Sequence, residues 1–159
     1  MNKAARLVVV AALFVLAAQG EAQEHVWRYP VLQASAVDGD TARLRLDLGF
    51  GLHKLVDLRL IGVDTAETNR GPEDLRAHGR NAASFATVWL LEAVEDGLIA
   101  EVAGADSFGR ALGDLVADEG RLSQALLDER LAVEYDGRIS RDQLQDEHRR
   151  NAEARRQKP

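Results

Sequence analysis

Residues 41–48 alternate strictly between polar and apolar side chains, which is the period-two pattern of a half-buried β-strand. The apolar face of this segment consists of Ala42, Leu44, Leu46 and Leu48. Residues 53–63 alternate in the same way after the short connection Gly49-Phe50-Gly51. Two adjacent strands with a short connection predict an antiparallel hairpin.

The remaining pattern predicts further strands over residues 27–37, 98–103 and 111–117, and a last extended piece over 131–135. Residues 64–77 are polar and contain Asn-Arg-Gly-Pro, which predicts a loop. Apolar residues at helical spacing from Ala82 to Val94 predict an amphipathic helix that ends at Gly97.

Two more helices complete the prediction. Residues 122–130 read as a short helix, and Ser140 with Gln143 forms a capping box for a polar helix over about 141–155. The apolar face of this last helix is sparse, so we expect one side to dock and the basic end beyond Arg149 to fray.

The element order lacks βαβ alternation, which places the domain in the α+β class. Five short antiparallel strands in a chain of this length fit a partly open, five-stranded Greek-key β-barrel of the OB type. We therefore predict an OB-type barrel with three α-helices.

The N-terminal residues have the pattern of an export signal. Lys3 and Arg6 precede the apolar run 7–18, which is shorter than the ~20 residues that span a bilayer. Small residues at Gly20 and Ala22 predict cleavage after Ala22; an uncleaved anchor is the alternative. We expect a signal peptide over 1–22 and one domain over 23–159, secreted or periplasmic, monomeric and free of the membrane after cleavage.

The 159 residues include no cysteine, which excludes disulfide scaffolds, cysteine nucleophiles and thiolate zinc sites. No phosphate-loop or nucleophile-elbow motif is present in the sequence. The four histidines are scattered, and each is interpreted as a surface or rim residue: His25, His53, His78 and His148.

Charge is unevenly distributed. Residues 23–137 carry 11 bases and 21 acids, a net formal charge of −10, whereas residues 138–159 carry seven bases and four acids. An acidic body attracts nucleic acid poorly but suits a site that collects a cation. We expect weak binding of long duplexes, unless the C-terminal helix brings its bases to the substrate.

The candidate chemistry lies at one edge of the predicted barrel. Asp40 begins one strand, and Asp64, Thr65 and Glu67 follow the end of a neighbouring one, so their oxygens converge if the strands pair. Carboxylate and carbonyl oxygens are the ligands of hard cations such as Ca²⁺. The guanidiniums of Arg59 and Arg110 match the geometry of phosphate oxygens and would form a phosphate clamp beside such a site.

Three segments together resemble the motifs of the staphylococcal nuclease-like (thermonuclease) domain family. They are Val-Asp-Gly-Asp-Thr at 37–41, Arg-Leu-Ile-Gly-Val-Asp-Thr-Ala-Glu at 59–67 and Asp-Ser-Phe-Gly-Arg at 106–110. The resemblance covers residues 31–155. It implies an OB-type barrel with three helices and Ca²⁺-dependent hydrolysis of DNA and RNA that leaves 3′-phosphates.

The resemblance also implies a role for each matching residue. Asp40 and Asp64 would be carboxylate ligands of Ca²⁺, and Thr65 would be a carbonyl ligand. Glu67 would hold or deprotonate the attacking water. The phosphate would be bound by Arg59 and Arg110, which stabilise its charge in the transition state.

Other positions concern substrate binding or depart from the family pattern. Phe108 and Tyr135 would contact the substrate, Tyr135 by stacking on a base. The family usually has proline at the position of Ala66, and lysine and tyrosine at those of Ser107 and Phe108. The sequence therefore predicts an exported nuclease, with a non-catalytic OB-fold nucleic-acid-binding module and a structural interaction domain as the alternatives.

Overall fold

The computed structural model describes residues 26–157, so the predicted signal peptide and its cleavage site lie outside the described residues. The elements in chain order are β1 (Trp27–Ala36), β2 (Thr41–Asp47), β3 (His53–Leu60), β4 (Val63–Thr65), α1 (Glu73–Asp96), β5 (Ile99–Ala105), β6 (Ala111–Ala117), β7 (Gly120–Arg121), α2 (Leu122–Asp128), β8 (Ala132–Glu134) and α3 (Arg141–Arg156).

Five of these strands form a closed barrel in the order β3-β2-β1-β5-β6, and β6 returns to pair with β3. The predicted OB-type α+β fold with three helices is confirmed over the described part. The expectation of a partly open, wholly antiparallel barrel is wrong, because β3 and β6 pair in parallel and close it. A residue pattern within each strand cannot reveal this long-range pairing.

The core follows the alternation seen in the sequence. Strand β2 buries Ala42, Leu44 and Leu46, whereas Leu48 lies past the end of the strand and is exposed. Helix α1 packs on the barrel with one face, which is the face predicted by its helical spacing: Ala82, Ala86, Leu90 and Ala93 are buried on it.

Two predicted boundaries shift, and both shifts affect the candidate site. The predicted strand 53–63 breaks at Gly62, whose φ of +80° is accessible to glycine, and β4 then pairs with β8 instead. Helix α1 begins at Glu73, so the last five residues of the predicted loop 64–77 are helical. Pro72 and the acidic first turn that follows it are the sequence signals for this earlier start.

Helix α3 begins as predicted. The backbone N–H of Gln143 donates to Ser140 Oγ at 3.3 Å, and the Ser140 N–H donates to the Gln143 side chain at 3.2 Å, which completes the capping box. The helix continues to Arg156, and Arg155 donates to the Glu129 carboxylate at 2.9 Å. The expected fraying beyond Arg149 is therefore wrong.

No helix within residues 26–157 is both long and apolar enough to cross a bilayer.

The close pairing of β5 with β6 leaves no room for a side chain at Gly113 in β6. A Cβ atom there would overlap the carbonyl oxygen of Glu101 on β5, whereas a Cβ at Gly104 would meet nothing within 4 Å. We expect Gly113→Ala to lower the free energy of unfolding by about 2–3 kcal/mol, because the strands must separate to accept the methyl group. Denaturant unfolding measures this loss.

Gly104→Ala is the matched control, and its unfolding free energy should stay within about 0.5 kcal/mol of the original. Equal stability of the two variants would contradict the tight packing of β5 on β6.

Candidate functional site

Asp40 lies at the end of the barrel, directly before β2, with only 6% of its surface exposed. Its Oδ2 accepts hydrogen bonds from the backbone N–H of Thr65 at 2.7 Å and from Thr65 Oγ1 at 2.9 Å. The backbone carbonyl of Asp40 accepts from the N–H of Leu60 at 2.8 Å. These contacts fix the carboxylate of Asp40 against β4.

Arg59 connects the two predicted carboxylate ligands. Its guanidinium forms an ion pair with Asp40 Oδ1 through Nη1 and donates to Asp64 Oδ1 through Nη2 at 3.0 Å. Arg59 occupies the penultimate position of β3, opposite Thr41 on β2 and Leu112 on β6. The closed barrel therefore holds the backbone of Arg59 from both neighbouring strands.

The second oxygen of Asp64 is held by α3. His148 Nε2 lies 3.0 Å from Asp64 Oδ2, and in the tautomer with hydrogen on Nε2 the ring donates to the carboxylate. His78 on α1 lies next to His148, with 6.1 Å between the ring centroids. Asp64 is thereby oriented by Arg59 from β3 and by His148 from α3.

Both histidines are buried, with 3% of His78 and 2% of His148 exposed. The interpretation of these two as surface or rim residues is wrong, although His53 is exposed as expected. His25 lies outside the described residues. Helical spacing could have identified His78, because it is four residues before Ala82 on the buried face of α1; nothing local in the sequence pairs His148 with Asp64.

The electrostatics of the site are set by burial of its acids. Burial raises the pKa of Asp40 to about 6, and the neighbouring charges of Asp38 and Asp64 act in the same direction. The guanidinium of Arg59 and the hydrogen bond from Thr65 oppose this shift. Asp40 is thus a carboxylate whose negative charge needs a nearby cation.

Two glycines allow α1 to approach the site closely. A Cβ at Gly79 would overlap the backbone carbonyl oxygens of Ala66 and Glu67, and a Cβ at Gly39 would overlap Thr65 and Ala82. The helix therefore packs directly on the backbone that carries Glu67. Ala66 is buried in this contact.

Glu67 borders a cleft of about 190 Å³ between the segment after β4 and α3. Asp64 and Thr65 line the same cleft, together with the predominantly exposed side chains of Arg70 and Arg141. The carboxylate of Glu67 is exposed, so it is accessible to water and to a ligand entering this cleft.

A wider groove lies on the other side of the Arg59–Asp64 pair. It contains Arg59, Arg110, Phe108 and Tyr135, and its volume is about 1,100 Å³. Arg110 Nε donates to Asp106 Oδ2 at 2.8 Å, and its guanidinium carbon lies 5.9 Å from the centre of the Phe108 ring. The groove thus presents two guanidiniums and two aromatic side chains, and three acids also line it: Asp106, Glu134 and Asp136.

The structure thus joins Asp40, Arg59, Asp64 and Thr65 by direct contacts. It places Glu67 in the adjoining cleft and Arg110, Phe108 and Tyr135 in the adjoining groove. Tyr135 is fixed there because its N–H donates to the carbonyl of Gly62 at 2.9 Å.

The atoms at this end of the barrel that could bind a metal ion are oxygens. The carboxylates of Asp40 and Asp64 are close enough to share one guanidinium, and the backbone of Thr65 adjoins both. Such a set fits a hard cation such as Ca²⁺ and not a soft metal. No group of three or more acidic or histidine side chains with metal-binding geometry occurs in residues 26–157.

Comparison with known families gives one match. The model of the family described as staphylococcal nuclease homologue matches residues 57–159. The match includes Arg59, Asp64, Thr65, Glu67 and Arg110, and it begins after Asp40. A search of curated proteins finds no significant match.

The buried His78 predicts how stability depends on pH. Burial lowers the pKa of His78 to about 4, and the positive charges of His148, Arg155 and Arg156 add to the shift. The unfolded chain therefore takes up this proton near pH 6.5 and the folded chain only near pH 4. We expect the free energy of unfolding to fall by on the order of 1–3 kcal/mol through this group as the pH falls from 7 to 4.

Urea unfolding of His78→Gln across this pH range should show a shallower loss of stability than the original chain. His53→Gln, at an exposed position on β3, is the control and should keep the original pH dependence. An unchanged slope in His78→Gln would refute the link between burial of this histidine and acid sensitivity.

Proposed function

Because the chain belongs to the staphylococcal nuclease homologue family, we propose that it is a Ca²⁺-dependent nuclease that hydrolyses phosphodiester bonds of DNA or RNA. The observation that carries this proposal is the single guanidinium of Arg59 held between Asp40 and Asp64. It lies where a cleft containing Glu67 and a groove containing Arg110 meet.

Glu67 has the position expected of the residue that manages the attacking water. Its carboxylate is exposed in a cleft, is two residues from Thr65, and has backbone anchored beneath α1 at Gly79. A carboxylate so placed can orient a water molecule and accept its proton as the oxygen attacks phosphorus. The close approach of α1 limits the movement of this backbone.

Arg59 and Arg110 supply donors for the phosphate. Both line the groove, and their planar guanidiniums can each donate two hydrogen bonds to phosphate oxygens. Charge on these oxygens grows in the transition state, so donors already in place stabilise it more than they stabilise the ground state. Arg110 would exchange its contact with Asp106 for the substrate.

The residues that would hold Ca²⁺ are Asp40 and Asp64 through their carboxylates and Thr65 through its backbone carbonyl. The ion, when bound, supplies positive charge that polarises a phosphoryl oxygen. Asp40 is oriented for this by Thr65 and Asp64 by His148. The oxygen donors and the raised pKa of Asp40 support the proposal, because a cation would relieve the cost of burying its charge.

We further propose that the chain is a monomer and that it acts outside the cytoplasm, the latter on the basis of the export-signal pattern in residues 1–22. Phe108 and Tyr135 would contact the nucleoside next to the reacting phosphate, since both border the groove. Phe108 is 85% exposed, which leaves its ring available for stacking on a base.

Removal of Ca²⁺ tests the proposed metal dependence. Purified protein should cut plasmid DNA in Ca²⁺ and leave it intact in chelator, and calorimetry should detect Ca²⁺ binding in the presence of a nucleotide. Asp40→Asn should abolish both the binding and the cleavage, because it removes a ligand. Gel electrophoresis gives the cleavage readout.

Asp57→Asn is the control for this experiment, since Asp57 pairs with Arg43 on the outside of the barrel at 2.8 Å and should not affect the metal. A lack of Ca²⁺ binding even with nucleotide would show that the metal assignment is wrong. Retardation of DNA without cleavage would instead support the non-catalytic OB-fold binding module.

Substitution of the three side chains proposed to act on the substrate tests their roles. Arg59→Ala and Arg110→Ala should each lower kcat by at least ~10²–10³-fold, because each removes a donor that stabilises developing charge. Glu67→Gln should lose activity and largely retain Ca²⁺ binding. Steady-state cleavage of a labelled oligonucleotide and circular dichroism would report activity and folding.

Arg43→Ala provides the matched control, because this arginine is exposed and paired on the barrel wall. Its kcat should remain within about twofold of the original, as expected of a surface substitution. Unchanged turnover in any of the three site variants would remove the role assigned to that residue.

A further inference from the structure

The cleft beside Glu67 contains two arginines that have no assigned role. Arg70 lies between β4 and α1, and Arg141 is the first residue of α3. Both side chains line the cleft, and both are exposed to solvent. The chain thus brings one guanidinium from each of two segments, 71 positions apart in sequence, to the same side of Glu67.

In the described part of the chain, most arginines near these two form ion pairs with carboxylates, whereas Arg70 and Arg141 do not. Arg76 and Arg80 pair with Glu73, Arg149 pairs with Asp146, and Arg150 pairs with Glu147. Within residues 26–157, neither Arg70 nor Arg141 has a carboxylate within ion-pair distance. In a domain whose body is strongly acidic, two unpaired guanidiniums in one cleft indicate an anionic ligand.

The position of the cleft indicates which anion. Asp64 lines the cleft and Arg59 lines the wide groove, and these two residues share a hydrogen bond of 3.0 Å. A nucleic-acid strand whose reacting phosphate lies at Arg59 therefore has the wide groove on one side and the cleft on the other. The phosphate next along the strand would enter the cleft.

The size of the cleft favours a single-stranded nucleic acid as its ligand. Its volume of about 190 Å³ is below the ~300–1,000 Å³ typical of sites that enclose a drug-sized ligand. It can hold a phosphate with part of its sugar, whereas a base pair exceeds it. The apolar side chains of Leu75 and Leu144 on its wall can contact a sugar but offer no base recognition.

We propose that Arg70 and Arg141 form a second phosphate-binding subsite, which holds the phosphate adjacent to the reacting one in a single-stranded nucleic acid. This subsite deepens the proposed nuclease function and rests on it for the identity of the strand. It also assigns a purpose to Arg141, the first residue of α3, in an otherwise acidic protein.

The test measures binding separately from cleavage. Glu67→Gln in Ca²⁺ serves as the background, and the ligands are a labelled thymidine dinucleotide with one internal phosphodiester and a labelled thymidine tetranucleotide with three. Arg70→Gln with Arg141→Gln should weaken binding of the tetranucleotide about tenfold and change that of the dinucleotide less than twofold. The slope of log affinity against log salt should fall by about 0.7 for the lost phosphate contact.

Arg138→Gln with Arg150→Gln is the control with the same change in net charge, since these two arginines line a different depression beside α3. Its tetranucleotide affinity should change less than threefold. Equal losses in the two double variants, or no dependence on ligand length in Arg70→Gln with Arg141→Gln, would overturn the subsite.

Cleavage by the original chain separates this proposal from the nuclease assignment. Absence of cleavage together with length-dependent binding through Arg70 and Arg141 would refute the nuclease and support the subsite. Normal cleavage together with identical binding by the two double variants would support the nuclease and refute the subsite.

Discussion

Two carboxylates, Asp40 and Asp64, lie side by side at the end of a closed barrel, and the repulsion between them must be balanced. Arg59 balances it by contacting both, while Thr65 and His148 hold the remaining oxygens. Leaving a buried charge unpaired costs far more than an exposed pair contributes to stability. The strand closure, the bend at Gly62 and the docking of α3 all serve to place these partners correctly.

The acidic and basic side chains of the domain are arranged so that most arginines are paired with carboxylates. The acidic body supplies oxygen donors at one point, and its arginines are mostly neutralised by neighbouring carboxylates, as Arg43 is by Asp57 and Arg121 by Glu101. Arg59 and Arg110 form acid contacts as well, yet they border a groove open to solvent. A substrate phosphate therefore competes for guanidiniums that already have partners, which favours close-fitting ligands over long-range attraction.

Much of this architecture could be predicted from local patterns. The alternation of β2, the helical spacing of α1 and the capping box at Ser140 each depend on interactions within a few residues, and the structure confirms all three. The motifs around Asp40, Asp64 and Arg110 likewise indicated one common site. Order and spacing along the chain were sufficient for this, because each motif lies next to a strand end.

The features that could not be predicted depend on distant partners. The parallel pairing of β3 with β6, the separation of β4 and the burial of His148 against Asp64 all join segments far apart in sequence. A single histidine in a polar helix gives no local sign that it faces a carboxylate 84 positions away.

The parallel closure of the barrel also constrains the order in which the molecule can assemble. It aligns Arg59 with Leu112, so 53 positions of chain must be looped before this pair forms, and long-range parallel pairing is slow because the loop entropy is lost first. Arg59 is held between its neighbours only after that step. A growing chain that has been synthesised as far as Glu67 therefore contains Asp40, Asp64 and Glu67, but Arg59 is not aligned with Leu112 until β6 has been synthesised and has closed the barrel.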